Sequence, residues 1–168
     1  KLSPFYTALP SFVARLQAAG AAGVTVFNRF YQPGIDLDTL TVDRHLDLSS
    51  PDELPLRLHA LALLHGRVDL SLGSTGGVHR GHDAAKAVLC GAAAVQLASA
   101  LLLHGPAGLA AIRDELVGWL DEAGYRTLDE ARGATAFHNV GDPHAFERVN
   151  YTRLLQGWRP RLDPDGVG

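Results

Sequence analysis

The sequence predicts an α/β protein built on a parallel sheet, and the number of its units corresponds to half of an eight-stranded (β/α)8 barrel. Short apolar, β-branched segments alternate strictly with helical segments, and this order favours parallel strands joined by helical crossovers. A Gly-Gly turn follows one of the last two strands and a serine ends the other, at the positions where a barrel commonly binds phosphate. A doubly wound open sheet is the rival architecture, but it normally carries such glycines after an early strand.

The first part of the chain supplies a strand end, a helix, a strand and a long loop. Residues 1–4 are typical of the end of a strand that turns at a proline. Apolar side chains at helical spacing predict a helix over residues 11–19, with Ser11 as its N-cap. Residues 23–27 are short, apolar and β-branched, which predicts a strand. Residues 29–51 have no clear period and indicate a long excursion with a short hairpin.

The rest of the chain continues the alternation and then becomes helical. We predict a helix over residues 52–65, a strand over 68–72, a loop over 73–81, a helix over 82–90, a strand over 93–99, a helix over 106–123, a short helix near 128–132 and a helix from Pro143 to about Trp158. The buried side of the helix over 106–123 is predicted to carry Leu109, Ile112, Leu116 and Leu120.

Composition and charge exclude several classes of protein. The chain has 168 residues and a formal net charge of -3, so it lacks the basic surface typical of nucleic-acid-binding proteins. No apolar run has the length of a membrane span, and no signal peptide is visible. The single cysteine, Cys90, excludes an internal disulfide and suits the cytoplasm. The chain starts with Lys1 and contains no methionine, which favours a piece of a longer protein.

Two glycine-marked joints lie in the stretch GSTGGVHRGHDAAKAVLCGAAAVQLASAL, residues 73–101: Gly76 and Gly77 follow one predicted strand, and Ser99 ends the next. Free backbone N–H groups at a helix N-terminus favour an anion, and glycine lets a phosphate oxygen approach the backbone closely. A tight turn without any ligand is the simpler interpretation of one Gly-Gly pair. Because two adjacent units both have such a joint, a phosphate site and a simple turn are equally good interpretations.

The same stretch resembles the end of the dihydroorotate dehydrogenases, which are flavin enzymes on an eight-stranded barrel. The matching motifs are STGGV, HDAAKAVLCGA, AVQLASALL and HGP, in that order, and KLSP, VFN and DEAGYRTLDEARG extend the resemblance to about residue 133. The resemblance implies that the chain runs from the end of strand 5 through helix 8 of a TIM barrel. Residues 1–133 would then be the C-terminal half of an FMN-binding barrel, and residues 134–168 a helical tail packing on it.

The resemblance implies site residues as well. The segments that hold the FMN phosphate in the family match Gly76, Gly77, Ser99 and Ala100. Lys1 matches a lysine that contacts the flavin ring, and Asn28 matches an asparagine that hydrogen-bonds the substrate ring. An amide offers donors and an acceptor, which suits a ring with imide groups. Taken alone, Lys1 is more simply a solvated terminal lysine, and Asn28 a strand-end cap.

The implied activity is the FMN-dependent oxidation of dihydroorotate to orotate in pyrimidine biosynthesis, or of a related substrate. In the family the base is a Cys or a Ser on a loop of the earlier strands, and no residue of this chain is assigned to that role. The electron acceptor stays open among fumarate, NAD and a quinone. A non-redox phosphate- or flavin-binding barrel is the alternative function. The expected partners are a small-molecule substrate and, through open strand edges, a second copy in a homodimer.

The chain departs from the family's pattern at three places. The usual Gly-Gly-x-Ser-Gly segment after the sixth strand is missing, and whether Ser49 and Ser50 substitute for it stays open. Arg29 stands where a small hydroxyl residue is usual, and either binds a carboxylate bidentately or lies solvated in the loop. Ala98 stands where the family prefers glycine, which crowds one phosphate N–H group. These departures leave the substrate open.

The remaining polar residues have simpler interpretations. Eight histidines without paired spacing and a single cysteine give no support for a metal site. Cys90 is predicted to be a buried structural thiol in the middle of a helix. His79 and Arg80 are predicted to be solvated loop residues, with support of the phosphate charge as the alternative. His82 and Asp83 are predicted to cap the helix that follows them.

Overall fold

The structure is a computed structural model that describes residues 1–30 and 32–139. Its strands are β1 (Gly23–Val26), β2 (Gly34–Asp36), β3 (Thr41–Asp43), β4 (Ser71–Thr75) and β5 (Ala94–Gln96). Its α-helices are α1 (Leu9–Ala18), α2 (Leu54–Leu64), α3 (Gly81–Leu89), α4 (Ser99–Glu122) and α5 (Leu128–Ala131). Single 3-10 turns cover Pro51–Glu53 and Phe137–Asn139.

The main sheet is parallel, as the alternation of elements predicts. Its strand order is β1-β4-β5, and both strand pairs are parallel. Leu2 forms an isolated parallel bridge with Val26, so the beginning of the chain lies beside β1 like the last residue of a further strand. The two hydrogen bonds of this bridge run from Leu2 N to Thr25 O (2.9 Å) and from Asn28 N to Leu2 O (2.6 Å). β2 and β3 form the predicted antiparallel hairpin in the excursion after β1.

One face of the main sheet carries the hydrophobic core. Val24, Val26 and Leu72 point to this face and are buried with side chains from α1, α2 and the end of α3. α4 packs in turn on α3, through Ile112 and Leu120. Because side chains alternate along a strand, Thr25 and the residues in register with it belong to the opposite face. The helices therefore form one layer along one side of the sheet.

Strand β4 corrects the predicted boundary between strand and loop. The prediction placed a strand over 68–72 and a loop from Gly73, whereas β4 begins at Ser71 and includes Gly73. A Cβ atom at Gly73 would lie 2.9 Å from the Thr25 Oγ1 atom, so this glycine permits a close cross-strand contact instead of ending the strand. At β5 the prediction is too long, because Ser99 begins α4 and does not end the strand.

The boundaries of α1 and α4 differ from the predictions. α1 begins at Leu9 and has proline in its first turn, so Ser11 lies inside the helix and does not cap it. α4 begins at Ser99, and a non-helical Gly105 (φ 65°, ψ -171°) breaks it just before the predicted start at Pro106. Leu109 is 52% exposed, although it was predicted to be buried.

The short helix predicted near 128–132 is α5, and the Thr127 hydroxyl accepts a hydrogen bond from the Glu130 amide at its start (3.2 Å). Cys90 follows the last residue of α3 and does not lie in mid-helix. The predicted helix from Pro143 to about Trp158 lies outside the described residues, as does most of the predicted tail. None of the described helices combines the length and apolar character that a membrane crossing needs.

His65 is expected to make the stability of the fold depend on pH. Its ring lies against Gly91 and Gly133 and stacks on His138, with the two ring centroids 5.5 Å apart. Burial lowers the pKa of His65, and the nearby His138 and Arg132 lower it further. When folding lowers the pKa of a histidine, the unfolded chain takes up the proton first as the pH falls. The stability of the fold is therefore complete above the ordinary pKa of 6.5 and decreases as the pH falls toward the pKa of the folded state.

We therefore expect the urea midpoint to fall as the pH is lowered from about 7.5 through the ordinary histidine range. His65→Gln should flatten this dependence, because glutamine does not titrate. His59→Gln, at an exposed position of α2, is the matched control and should leave the dependence unchanged. If the urea midpoint of the His65 variant falls with pH as steeply as that of the unchanged protein, the prediction is wrong.

Candidate functional site

The carboxyl ends of the parallel strands bring the predicted site residues to one edge of the sheet. Asn28 follows β1, Gly76 and Gly77 follow β4, and Ser99 follows β5. In parallel α/β proteins this edge is the usual place for a ligand, because the loops and helix N-termini meet there. The site is described below from the glycine turn outward.

The Gly76–Gly77 turn has a backbone conformation that favours glycine. The φ angles are +89° at Gly76 and +79° at Gly77, in the left-handed region. A Cβ atom at Gly77 would lie 2.5 Å from the backbone nitrogen of Leu54, and one at Gly76 would lie 3.1 Å from Arg57 Nη2. The turn therefore packs directly on α2, with Gly77 against the backbone of Leu54 and Gly76 against the Arg57 side chain.

Ser49 connects the glycine turn to the start of α4. Its backbone N–H and its hydroxyl both donate to the Ser99 hydroxyl, at 2.9 and 2.8 Å. Its hydroxyl also accepts a longer hydrogen bond from the Gly77 N–H, at 3.4 Å. The His79 ring lies 2.6 Å from the Ser49 carbonyl oxygen through Nε2, which donates in the tautomer that carries the proton there. Gly77, Ser99 and His79 thus converge on one buried serine.

The N-terminus of α3 is already occupied by carboxylates of the protein. Asp83 accepts hydrogen bonds from the backbone N–H groups of His79 and Arg80, each at 3.1 Å. Glu115 of α4 accepts a bond from the Gly81 N–H at 2.6 Å and contacts the His82 ring. The His82 contact, followed by the Gly81 bond, lowers the pKa of Glu115. Asp83 therefore caps the helix as predicted, whereas His82 pairs with Glu115 instead.

The N-terminus of α4 differs from that of α3. The residue before it, Ala98, offers no side-chain cap, and Ser99 is the first helical residue. The first N–H groups of any α-helix lack a partner within the helix, and the helix dipole makes this end attractive to anions. One helix end at this edge is thus bound by carboxylates, whereas the other begins with Ser99 and has no side-chain cap among the described residues.

A buried arginine lies behind the glycine turn. Arg57 is 5% exposed and donates to Thr75 O (3.1 Å), Glu53 O (2.7 Å) and Glu53 Oε2 (3.1 Å). Burial lowers the pKa of Arg57, and the Glu53 carboxylate acts in the opposite direction. Glu53 also pairs with Arg29, whose Nε lies 3.2 Å from Glu53 Oε1. One carboxylate thus holds two guanidinium groups, and Arg29 is engaged by the protein's own acid instead of lying free in the loop.

A cavity of about 610 Å³ opens beside this arginine pair. Asn28, Arg29, Glu53 and Arg57 contribute polar groups to its wall. Phe5 and Phe30, packed edge to face with centroids 5.0 Å apart, also line it. Asn28 is one of the described residues that line the cavity, as its proposed role requires. Lys1 does not line the cavity and is exposed, next to Leu2. The aromatic and polar lining suits a small planar polar ligand.

The structure brings together some of the residues that the sequence singled out. Gly77 and Ser99 are joined through Ser49, while Ala100 is 1% exposed and packs in the core, so only its backbone faces the helix end. Sequence reasoning missed Arg57 and Glu53. The signal was available for Arg57, which is the only lysine or arginine in the leucine-rich helix α2.

Cys90 is a buried thiol next to the end of α3. Burial raises the pKa of the Cys90 thiol, whose Sγ lies 3.7 Å from the Thr135 hydroxyl. The predicted burial of this thiol is therefore confirmed. Over residues 1–30 and 32–139, no group of three His, Cys, Asp or Glu side chains is placed to hold a metal ion.

These features define a parallel α/β protein with a candidate anion site and a polar cavity at the carboxyl edge of its strands. The family model for dihydroorotate dehydrogenase matches residues 1–120, and the chain belongs to the dihydroorotate dehydrogenase family.

Curated relatives and solved structures agree with this assignment. The catalytic subunit of dihydroorotate dehydrogenase B (NAD(+)) from Desulforudis audaxviator is 31% identical over 144 residues, which are 84% of this chain and 46% of that protein. Dihydroorotate dehydrogenase A (fumarate) from Lacticaseibacillus paracasei is 34% identical over 105 residues, 60% of this chain and 35% of that protein. The ligand-free DHODH structure from Eimeria tenella shares the fold, with a TM-score of 0.66, 21% identity and coverage of 79% of this chain and 38% of that one. The chain spans less than half the length of each.

Proposed function

We propose that the chain forms the FMN-phosphate side of a flavin-dependent dehydrogenase that oxidises dihydroorotate to orotate, or acts on a related substrate, in pyrimidine biosynthesis. One observation carries the proposal: the Gly76–Gly77 turn and Ser99 meet in front of a helix end that no side chain caps. The family match over residues 1–120 supports the same activity. The names of the relatives above print NAD(+) and fumarate as acceptors, and a quinone is the third candidate.

The donor set fits a phosphate monoester. Consecutive left-handed glycines bend the backbone sharply at the end of β4, and successive N–H groups in a turn of this kind can form an anion-binding concavity. The first N–H groups of α4, including those of Ser99 and Ala100, add donors and partial positive charge. The carboxylates near this edge are engaged elsewhere: Asp83 and Glu115 hold α3, and Glu53 holds two arginines. Gly76, Gly77, Ser99 and Ala100 would accordingly hold the phosphate.

The polar wall of the cavity is the proposed substrate side. When bound, FMN supplies a ring that accepts a hydride from the substrate carbon. Asn28 would orient the substrate through its amide donors and acceptor, with its backbone held by the bond to Leu2 O. Lys1, on the same edge, would place a cation beside the flavin ring. The base that takes the substrate proton is not assigned within this chain.

Several features support a half-barrel as the architecture. The strands follow one another in sequence order, and their helices form one layer on one face, which is how consecutive right-handed crossovers build a barrel wall. A doubly wound sheet would reverse its strand order and carry helices on both faces. We assign residues 1–133 to the C-terminal half of the barrel and residues 134–168 to a tail packing on it. Assembly as a homodimer and a cytoplasmic location, which a single buried cysteine suits, belong to the same proposal.

The visible spectrum of the full-length protein tests the function. We expect bound or reconstitutable FMN, a yellow spectrum, and bleaching when dihydroorotate is added without oxygen. A colourless protein that cannot be reconstituted with FMN would contradict the assignment. A yellow protein that dihydroorotate does not bleach would favour another substrate or the alternative, a flavin-binding barrel without redox turnover.

Asn28→Ala separates the substrate side from the cofactor side of the site. Losing the amide should lower kcat/KM for dihydroorotate about tenfold or more, because the hydrogen bonds that fix the ring are lost. The affinity for FMN should stay within about twofold, because Asn28 lies in the cavity and not at the glycine turn. A comparable loss of FMN affinity would show that Asn28 contributes to cofactor binding and would contradict its assignment to the substrate.

A further inference from the structure

We propose that Ser49 is a positioning residue that turns the Ser99 hydroxyl into a dedicated hydrogen-bond donor for the cofactor phosphate. This inference rests on the proposed function and assigns a role in it to a residue outside the family's phosphate motifs. Ser49 lies in the excursion after β1, in the stretch that departs from the family's pattern. It is buried (8% exposed) and bonded to both sides of the proposed phosphate site.

A count of hydrogen-bonding groups carries the inference. A serine hydroxyl has two lone pairs that accept and one hydrogen that it donates. Ser99 Oγ accepts from the Ser49 N–H at 2.9 Å and from the Ser49 hydroxyl at 2.8 Å. Both of its acceptor positions are then filled, and its own hydrogen is what remains. A hydroxyl that can only donate prefers an anion over a neutral or cationic group.

The geometry of the bond between the two hydroxyls makes Ser49 the donor and Ser99 the acceptor. The Ser49 hydroxyl oxygen in turn accepts from the Gly77 N–H at 3.4 Å. The His79 ring holds the Ser49 carbonyl oxygen at 2.6 Å. Ser50 is extended (φ -105°, ψ 165°), as expected before a proline. Ser49 is therefore held by hydrogen bonds at its N–H group, its hydroxyl and its carbonyl oxygen.

This arrangement gives His79 a role that neither sequence interpretation contained. Its ring is bonded to the Ser49 carbonyl oxygen and would support the phosphate site through the Ser49 backbone. The chain of contacts runs from His79 to Ser49 and from Ser49 to Ser99. It joins the loop after β4, the segment before α2 and the start of α4, which are far apart in the sequence.

The test compares two flavins that differ by the phosphate. Full-length protein stripped of flavin is titrated with FMN and with riboflavin, and binding is followed by quenching of flavin fluorescence. Ser49→Ala should weaken FMN binding about tenfold while riboflavin binding changes less than about twofold, since riboflavin lacks the phosphate. Ser11→Ala is the matched control, because Ser11 is exposed in α1 and lies outside the proposed site, and should leave both affinities unchanged.

Two further variants show whether Ser49 acts through Ser99. The double variant S49A/S99A should bind FMN no more weakly than S99A alone, because the first change matters only through the second residue. Ser49→Thr retains the hydroxyl and should restore most of the FMN affinity that alanine removes. Equal weakening of FMN and riboflavin, or additive losses in the double variant, would overturn the proposal in favour of a structural role. Failure of the unchanged protein to bind FMN would instead overturn the proposed function.

Discussion

Replacing Arg57 with alanine is expected to lower the free energy of unfolding by about 2–4 kcal/mol, because removal of one partner leaves a buried pair uncompensated. The variant loses three hydrogen bonds from a side chain that is 5% exposed. Thr75 O and Glu53 O then lack these donors at the end of β4 and the start of α2. Among the described residues, the Glu53 carboxylate then keeps Arg29 as its ion-pair partner. Equilibrium unfolding of the full-length protein in urea measures the change.

Arg113→Ala is the matched control for this prediction. Arg113 also pairs with a carboxylate, that of Asp114, but the two side chains are 67% and 66% exposed. Exposed pairs contribute little, so the free energy of unfolding should change by less than about 0.5 kcal/mol. Similar losses for both variants would show that burial does not distinguish the two arginines.

Gly77→Ala is expected to lower the free energy of unfolding by about 2–3 kcal/mol and to weaken FMN binding with it. The new Cβ atom would lie 2.5 Å from the nitrogen and 2.9 Å from the Cα atom of Leu54. These are backbone atoms at the start of α2, which cannot move aside as the end of a flexible side chain can. The φ of +79° adds conformational strain for any residue with a Cβ atom. The turn must therefore shift away from α2.

Gly20→Ala separates strain from collision. Gly20 has a comparable φ of +93°, but a Cβ atom there would meet nothing within 4 Å. Its loss of stability should be about 1 kcal/mol, from strain alone, and FMN affinity should not change. Urea unfolding and flavin titration of the two variants provide the comparison. If Gly20→Ala lowers the free energy of unfolding as much as Gly77→Ala does, contact with α2 does not explain why the turn needs glycine.

The order of elements was predictable because each unit has its own local pattern. Apolar β-branched segments, helical spacing and glycine at the joints all depend on neighbours in the sequence. The boundaries were less predictable where a residue acts on another strand. The sequence predicts Gly73 in a loop, yet it pairs with Thr25 and Ala94 inside β4, and glycine fits there because Thr25 occupies the space where a side chain would be. A contact across the sheet leaves no periodic signal in the sequence.

The site was predictable in part, and for the same reason. The glycine turn and Ser99 carry a motif, so Gly76, Gly77 and Ser99 could be singled out as candidates. Ser49 lies in a segment without period, and its partner Ser99 is 50 residues away. Arg57 carries a signal of charge in an apolar helix, but its partners include the carbonyl oxygens of Thr75 and Glu53, which every residue possesses. The sequence does not indicate to which carbonyl oxygens Arg57 donates, and the folded structure is needed to show it.

The single-direction order of the strands has a consequence for synthesis. β1 pairs with β4, and β4 pairs with β5, so each new strand adds to an edge that earlier residues have already formed. A nascent chain emerging from the ribosome can thus dock one unit after another without waiting for a distant partner. The energetic cost of closing each loop is then met one unit at a time. Assembly can follow the direction of translation.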